Sequence, residues 1–120
     1  MEDYVSFETA KLLRDKGFDD EYTNAFYDKS GILYFIDLLS DFSEHPDNDT
    51  DIAASTLYVA MKWLREVHNI FISIQQHMDM SYVWYVYRDG VSKGCDRESH
   101  NNTYEQTCEV AIKYCLENLI

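Results

Sequence analysis

Three aspartates at alternate positions, Asp47, Asp49 and Asp51, come closest to a metal-binding pattern in this sequence. Carboxylates with this spacing are typical of the first ligands of a calcium-binding loop, because calcium prefers several oxygen ligands. The later positions do not match, since Ile52 replaces the turn glycine and Tyr58 replaces the bidentate glutamate. We therefore interpret the aspartates as part of a solvated acidic loop at about residues 39–51 and predict no metal site there.

Cysteine and histidine side chains are the usual ligands of zinc, and Cys95 and His100 lie close together in a polar segment. A zinc site needs a second pair with ligand spacing, whereas the sequence offers only His77 or Cys108 singly. Cys108 and Cys115 fall seven residues apart on an apolar stripe, which favours small, reduced core residues. The sequence therefore predicts no metal and no cofactor, and it leaves Cys95 as the accessible cysteine.

Histidines and carboxylates could also form an acid–base pair in an enzyme. The four histidines are His45, His68, His77 and His100. No nucleophile elbow, zinc-protease motif or phosphate-binding glycine loop accompanies them. A small enzyme would need a cleft that gathers one of these histidines with a carboxylate, and it remains an alternative. The residues themselves predict a protein without a catalytic centre.

The acidic residues are concentrated in the first 54 positions, which contain fourteen of the 22 and only four basic residues. This segment therefore carries −10 of the total net charge of −12. A surface of that sign repels phosphate, so we predict no nucleic-acid partner. An acidic surface that imitates DNA phosphates, and so inhibits a host DNA-binding protein, is a second alternative. Its candidate residues are Asp37, Asp41, Glu44, Asp47, Asp49 and Asp51.

The N-terminal half contains signals for one helix and one hairpin. Ser6 can cap a helix that Gly17 ends, and Phe18 would fold back beyond that glycine. Residues 22–27 and 32–37 are strand-like, and Gly31 supplies the positive φ of the turn between them. The acidic loop follows, and it has neither helical nor strand periodicity.

The C-terminal half has the pattern of a helix, three strands and a helix. The predicted elements are a helix over residues 57–68, strands over 70–75, 82–88 and 91–95, and a helix from 104 onward. Ser55 or Thr56 can cap the first of these helices, and Thr103 can cap the last. Asp89-Gly90 is a strong signal for a two-residue hairpin turn.

These elements predict one α+β domain over residues 1–120, in the order αββ-αβββα. One shared core then implies an antiparallel sheet of four to five strands with three helices on one face. The second half has the element order of a double-stranded-RNA-binding domain. The sequence argues against that class, because its last helix should begin with lysines, whereas this helix begins Thr103-Tyr104-Glu105.

The strand over residues 82–88 is unusually aromatic. Tyr82 and Trp84 point to one face, and Tyr85 and Tyr87 point to the other. Because helices cover only one face of the predicted sheet, one of these two rows could lie on the open face as an interaction surface. Cross-strand packing within the sheet itself is the interpretation that the pattern favours.

Two segments carry a resemblance to known sequences. Residues 8–18 read Glu-Thr-Ala-Lys-Leu-Leu-x-x-Lys-Gly-Phe, and residues 55–70 read Ser-Thr-Leu-Tyr-Val-Ala-Met-Lys-Trp-Leu-Arg-Glu-Val-His-Asn-Ile. With the final Leu119-Ile120, they resemble short uncharacterised proteins of Bacteroides-type gut bacteria and of their phages and mobile elements. The resemblance supplies no site residues, and it implies a bacterial cytosolic accessory protein, with a phage or mobile-element origin as one option.

The sequence also predicts where the protein acts and on what. Residues 1–4 are acidic where a secretory signal would be basic, and the longest apolar run, over residues 82–87, is too short to cross a bilayer. We therefore expect a cytoplasmic protein without membrane contact. The leading hypothesis is a non-catalytic protein-interaction module whose partner is another protein or a second copy, bound through the open sheet face or an edge strand.

Overall fold

The computed structural model describes residues 3–20, 23–36, 51–95 and 103–120. These residues form three helices and six strands in the order αβββαβββα. The helices are α1 (Phe7–Asp15), α2 (Leu57–His68) and α3 (Tyr104–Asn118). The strands are β1 (Ala25–Tyr27), β2 (Leu33–Phe35), β3 (Ile52–Ala53), β4 (Ile70–Gln76), β5 (Tyr82–Arg88) and β6 (Val91–Cys95).

Each helix begins at a hydroxyl side chain that accepts a hydrogen bond from a backbone N–H in the first turn. The three caps are Ser6 on the N–H of Thr9 (3.2 Å), Thr56 on that of Val59 (3.2 Å) and Thr103 on that of Gln106 (3.0 Å). Such caps satisfy N–H groups that have no partner within the helix. The predicted starts are confirmed, and Thr56 rather than Ser55 caps α2.

Helix α1 ends in the Schellman motif that the sequence predicts. Gly17 has a φ of 93°, which a residue with a side chain rarely adopts. The N–H of Phe18 donates to the carbonyl of Leu13 at 2.9 Å, and the N–H of Gly17 donates to that of Arg14 at 3.1 Å. Both bonds satisfy carbonyls at the end of the helix.

The first three strands form an N-terminal sheet in the order β2-β1-β3, antiparallel throughout. The predicted hairpin of β1 and β2 is confirmed, although both strands are shorter than predicted. The prediction missed β3, which has two residues and pairs Ile52 with Tyr27. Two residues are too few to show a period of two, so β3 is identified only by its pairing. Most of the predicted acidic loop, residues 39–50, lies outside the described residues.

The last three strands form a C-terminal sheet in the order β4-β5-β6, also antiparallel. Asp89 and Gly90 both have positive φ, 54° and 78°, which is the backbone of a type I′ turn. The turn joins β5 to β6 as predicted. A β-bulge interrupts the pairing of these two strands between Val86 and Tyr87.

The prediction of one sheet with four to five strands was wrong, because the described strands form two separate three-stranded sheets. The α+β class and the three helices are confirmed. Helices rather than strand pairing join the two sheets, since α1 packs on β3 and on α3, and α3 packs on β4 and β5. The wide buried face of α3 allows it to contact strands and helices at once, because its fully buried residues cover about half of its circumference at about 100° per residue. They are Thr107, Cys108, Ala111, Ile112, Cys115 and Leu116.

A single hydrophobic core joins both sheets and all three helices. It includes Leu13 of α1, Tyr27 of β1, Leu64 of α2, Val86 of β5 and Ile112 of α3. Burial of apolar surface stabilises such a core by about 25 cal/mol per Å². The described elements therefore form one compact α+β domain.

Candidate functional site

The aromatic strand β5 presents its two rows to different environments. Trp84 is only 5% exposed, and its ring lies 4.8 Å from that of Tyr114 on α3. The ring of Tyr82 meets that of Tyr104 edge-on at 6.2 Å. This row faces the helices. Tyr82 and Trp84, which the sequence offers as candidate interaction residues, therefore pack against α3 instead.

The other row of β5 lies on the opposite face of the C-terminal sheet. Tyr85 pairs with Ser73 of β4, and Tyr87 pairs with Phe71. Phe71 is 47% exposed, and both tyrosines are half-buried. We call the part of this side formed by Phe71, Ser73, Tyr85 and Tyr87 the open face; Val83, farther along the same side, is buried. Sequence reasoning did not single out Phe71, although its place in the alternating strand 70–75 was the signal that could have done so.

The hydrogen-bonding direction of β4 follows from the turns at both ends of β5. The two-residue turn makes Arg88 and Val91 a hydrogen-bonded pair, so the backbone groups of Arg88 point to β6. Its partner on β4, Ile70, therefore points its backbone groups away from β5. The bond from the N–H of His77 to the carbonyl of Ser81, at 2.8 Å, agrees with this alternation.

The outward N–H and C=O groups of β4 consequently belong to Ile70, Ile72, Ile74 and Gln76. We call this row the β4 edge. Within the described part of the chain, no backbone hydrogen bond joins the β4 edge to another segment. The segment Ile-Phe-Ile-Ser-Ile-Gln-Gln has no charge, proline or glycine, and its pairing with β5 is regular. Exposed edge strands are normally protected by a charge, a proline or a β-bulge, because their unpaired backbone groups can pair with another chain.

The opposite edge of the same sheet, β6, has the protection that β4 lacks. It contains Lys93 and pairs with β5 across the β-bulge. The hydroxyl of Tyr114 donates a hydrogen bond to the carbonyl of Lys93 at 2.9 Å. A charge, a bulge and an occupied carbonyl each discourage a further strand from pairing there.

Four cavities with volumes of about 190 to 270 Å³ lie on other parts of the surface. Two of them adjoin at the starts of α2 and α3 and share Asp3, Leu57 and Glu105. The other two share Phe18 and Asp19. None of the four is lined by a histidine, so none pairs imidazole with carboxylate for acid–base catalysis.

The structure separates the other residues that the sequence proposed for chemistry. Cys108 and Cys115 are fully buried, and burial raises the pKa of their thiols to about 11 and about 12. The predicted core role of both is confirmed. His77 is exposed in the turn after β4, and Cys95 is partly exposed at the end of β6. His45 and His100 lie outside the described residues.

His68 lies at the end of α2 with its ring 4.7 Å from that of Trp63. Burial, and next the charge of Arg88, lower the pKa of its imidazole. Its Nε2 is buried without a hydrogen-bond partner. The charge that lowers the pKa of His68 is thus a cation, whereas an acid–base pair would need a carboxylate.

Of the six acidic candidates, the structure describes only Asp51. It is half-buried and accepts a hydrogen bond from the hydroxyl of Tyr34. Asp37, Asp41, Glu44, Asp47 and Asp49 lie outside the described residues. In the described part of the chain, no three histidine, cysteine or acidic side chains are grouped closely enough to hold a metal ion.

Among the described residues, the fold is an α+β domain whose C-terminal sheet has the open face beside the uncharged β4 edge. Comparison with family models, with curated proteins and with solved structures finds no match. No helix in the described ranges has the length and apolar character needed to cross a membrane.

Proposed function

We propose that this protein is a non-catalytic protein-interaction module that binds through its C-terminal sheet. The observation that supports the proposal is the open face, with Phe71 and Tyr87 opposite each other, directly beside the β4 edge. Aromatic side chains are the commonest anchors of protein interfaces, since they bury a large area at little cost in conformational entropy. Unpaired backbone groups beside them supply hydrogen bonds to an added strand.

The setting of this module is also a proposal. The sequence resemblance supports an accessory protein of a gut bacterium, its phages or its mobile elements, acting in the cytoplasm. The net charge of −12 repels nucleic acids, which supports a protein rather than a nucleic-acid partner.

Affinity capture with matched variants tests the proposal. Phe71→Ser removes the exposed ring of the open face, whereas Ile32→Ser removes a side chain that is 62% exposed in the β1–β2 turn. We expect the wild type and Ile32→Ser to retain the same partner from a host lysate, and we expect Phe71→Ser to lose it. A partner retained equally by all three proteins would show that the open face is not the binding surface.

The two alternatives have less support in the described residues. Imitation of DNA phosphates needs rows of fixed carboxylates, and Asp51, the one described candidate, is engaged by Tyr34. An enzyme needs a histidine and a carboxylate in one cleft, and no histidine lines any of the four cavities. Both remain predictions. Inhibition of host nucleases at low salt would support the hypothesis that the protein imitates DNA.

A further inference from the structure

The β4 edge determines what kind of partner the C-terminal sheet can take. We propose that the partner is a second copy of this chain, whose β4 pairs antiparallel with β4 across a two-fold axis to form a continuous six-stranded sheet. This inference rests on the proposed function and specifies its partner.

The first argument is self-complementarity. Two antiparallel strands bond only through residues whose backbone groups face each other, and the outward residues of β4 are Ile70, Ile72, Ile74 and Gln76. Centring the axis on Ser73 pairs Ile72 with Ile74 of the copy. Ile70 is only 1% exposed, so its backbone groups are already covered, and the pairing is confined to the two Ile72–Ile74 pairs at the centre of the strand.

The second argument is the burial of the isoleucines on the helix side. Ile70 is 1% exposed, whereas Ile72 and Ile74 in the same row are only partly buried. Pairing in this register places Ile72 beside Ile74 of the copy, and cross-strand pairs of β-branched residues stabilise a sheet. The dimer thus covers the apolar side chains that one copy alone leaves half-exposed.

The third argument is charge. Two copies with a net charge of −12 repel each other, so a stable contact between them must be nearly neutral. The β4 segment contains no charged residue at all. A partner of opposite charge would find no charged side chain on this strand to recognise, whereas a second copy needs none.

The fourth argument is closure. A two-fold dimer uses both β4 edges and leaves the two β6 edges at the ends of the sheet. Lys93 and the β-bulge protect those ends from further pairing. The assembly therefore stops at two copies instead of growing into a filament.

Two serine-to-lysine variants on the open face test this arrangement in the full chain. Ser73 lies on the proposed axis, where its Cα and that of the copy would be about 4.5 Å apart, so Ser73→Lys places two like charges side by side. Ser92 pairs with Tyr87 and lies on the same face at the β6 edge. Ser92→Lys makes the same change in charge far from the axis.

Sedimentation at micromolar concentration is the main measurement. We expect the wild type and Ser92→Lys to be dimers, and we expect Ser73→Lys to weaken dimerisation by about tenfold or more, with an unchanged circular dichroism spectrum. Amide hydrogen exchange gives a second readout that does not depend on the variant folding. The N–H groups of Ile72 and Ile74 should be protected in concentrated wild-type solutions and exchange fast on dilution.

The outcomes separate this inference from the proposed function. A wild type that is monomeric at every concentration, with fast exchange along the β4 edge, overturns the dimer. The capture experiment with Phe71→Ser then still tests the proposed function through a different partner. A dimer that Ser73→Lys and Ser92→Lys weaken equally overturns β4 pairing and places the contact elsewhere.

Discussion

At the scale of single residues, Glu109 ties helix α3 to the start of α1. Its Oε1 accepts hydrogen bonds from the N–H of Ser6 at 3.0 Å and from the hydroxyl of Thr9 at 2.6 Å. Thr9 is fully buried. A carboxylate beside a helix N-terminus also interacts favourably with the helix dipole.

Replacing Glu109 by alanine should therefore destabilise the protein by about 1 to 3 kcal/mol, because Thr9 loses its strongest partner in a buried position. Urea unfolding measures the change. Glu117→Ala is the matched control on an exposed part of the same helix, and it should change the free energy of unfolding by less than about 0.5 kcal/mol. Equal losses in the two variants would contradict this role of Glu109.

His68 gives the fold a dependence on pH. Burial and the charge of Arg88 lower the pKa of its imidazole below the usual value of 6.5, so the folded state binds protons less readily than the unfolded state. The contribution of neutral His68 to stability is therefore fully present above the pKa of the unfolded state. This contribution is lost as the pH falls through that value toward the lower pKa of the folded state.

We expect the urea concentration at half-unfolding of the wild type to decrease when the pH is lowered from about 7.5 to about 5.5. Ordinary carboxylates titrate below this range, so they contribute little to the change. His68→Gln should show a smaller fall over the same window, because glutamine does not titrate. The other histidines serve as the internal reference, since they remain in both proteins. An identical fall in both proteins would assign the dependence to those histidines.

At the scale of elements, α3 packs against the β5–β6 hairpin through Gly94. A Cβ atom on this residue would lie 2.6 Å from Cε1 of Tyr114, whose ring also packs on Trp84. We predict that Gly94→Ala destabilises the protein by about 1 to 3 kcal/mol through overpacking. In a Tyr114→Leu background the same change should cost less, and the difference in unfolding free energy measures the coupling. Additive costs would mean that Tyr114 is not the obstacle.

The elements themselves were largely predictable, because their signals are local. Ser6 and Thr103 cap their helices, and Asp89-Gly90 forms its turn, through atoms a few residues apart. Strand β3 and the division into two sheets depend on pairing between segments distant in sequence, and two residues of strand carry no pattern.

The candidate site was predictable only in part, for a related reason. Alternation along β5 separates the Trp84 row from the Tyr87 row, but only the position of α3 decides which row is covered. The β4 edge could not be foreseen at all. A strand becomes an edge through the order of its neighbours, and the sequence Ile-Phe-Ile-Ser-Ile-Gln-Gln would suit a central strand equally well.

At the scale of the whole molecule, the net charge of −12 separates the hypotheses by their salt dependence. An acidic protein that imitates DNA binds a cationic partner, and dissolved salt weakens that attraction. Two copies of this chain repel each other instead, while their proposed contact along β4 is neutral. Salt screens the repulsion and leaves the strand pairing almost unchanged, since the Debye length shrinks from about 10 Å at 0.1 M to about 3 Å at 1 M.

We therefore predict that the dimer becomes several-fold tighter when NaCl is raised from about 0.05 M to about 0.5 M, as measured by sedimentation equilibrium. Ser92→Lys, which changes the net charge by one unit away from the axis, should follow the same trend from a slightly tighter starting value. Ser73→Lys should also tighten with salt but remain weaker than Ser92→Lys throughout. A dimer that dissociates as salt rises must be held by ion pairs, and an uncharged β4 strand cannot supply them.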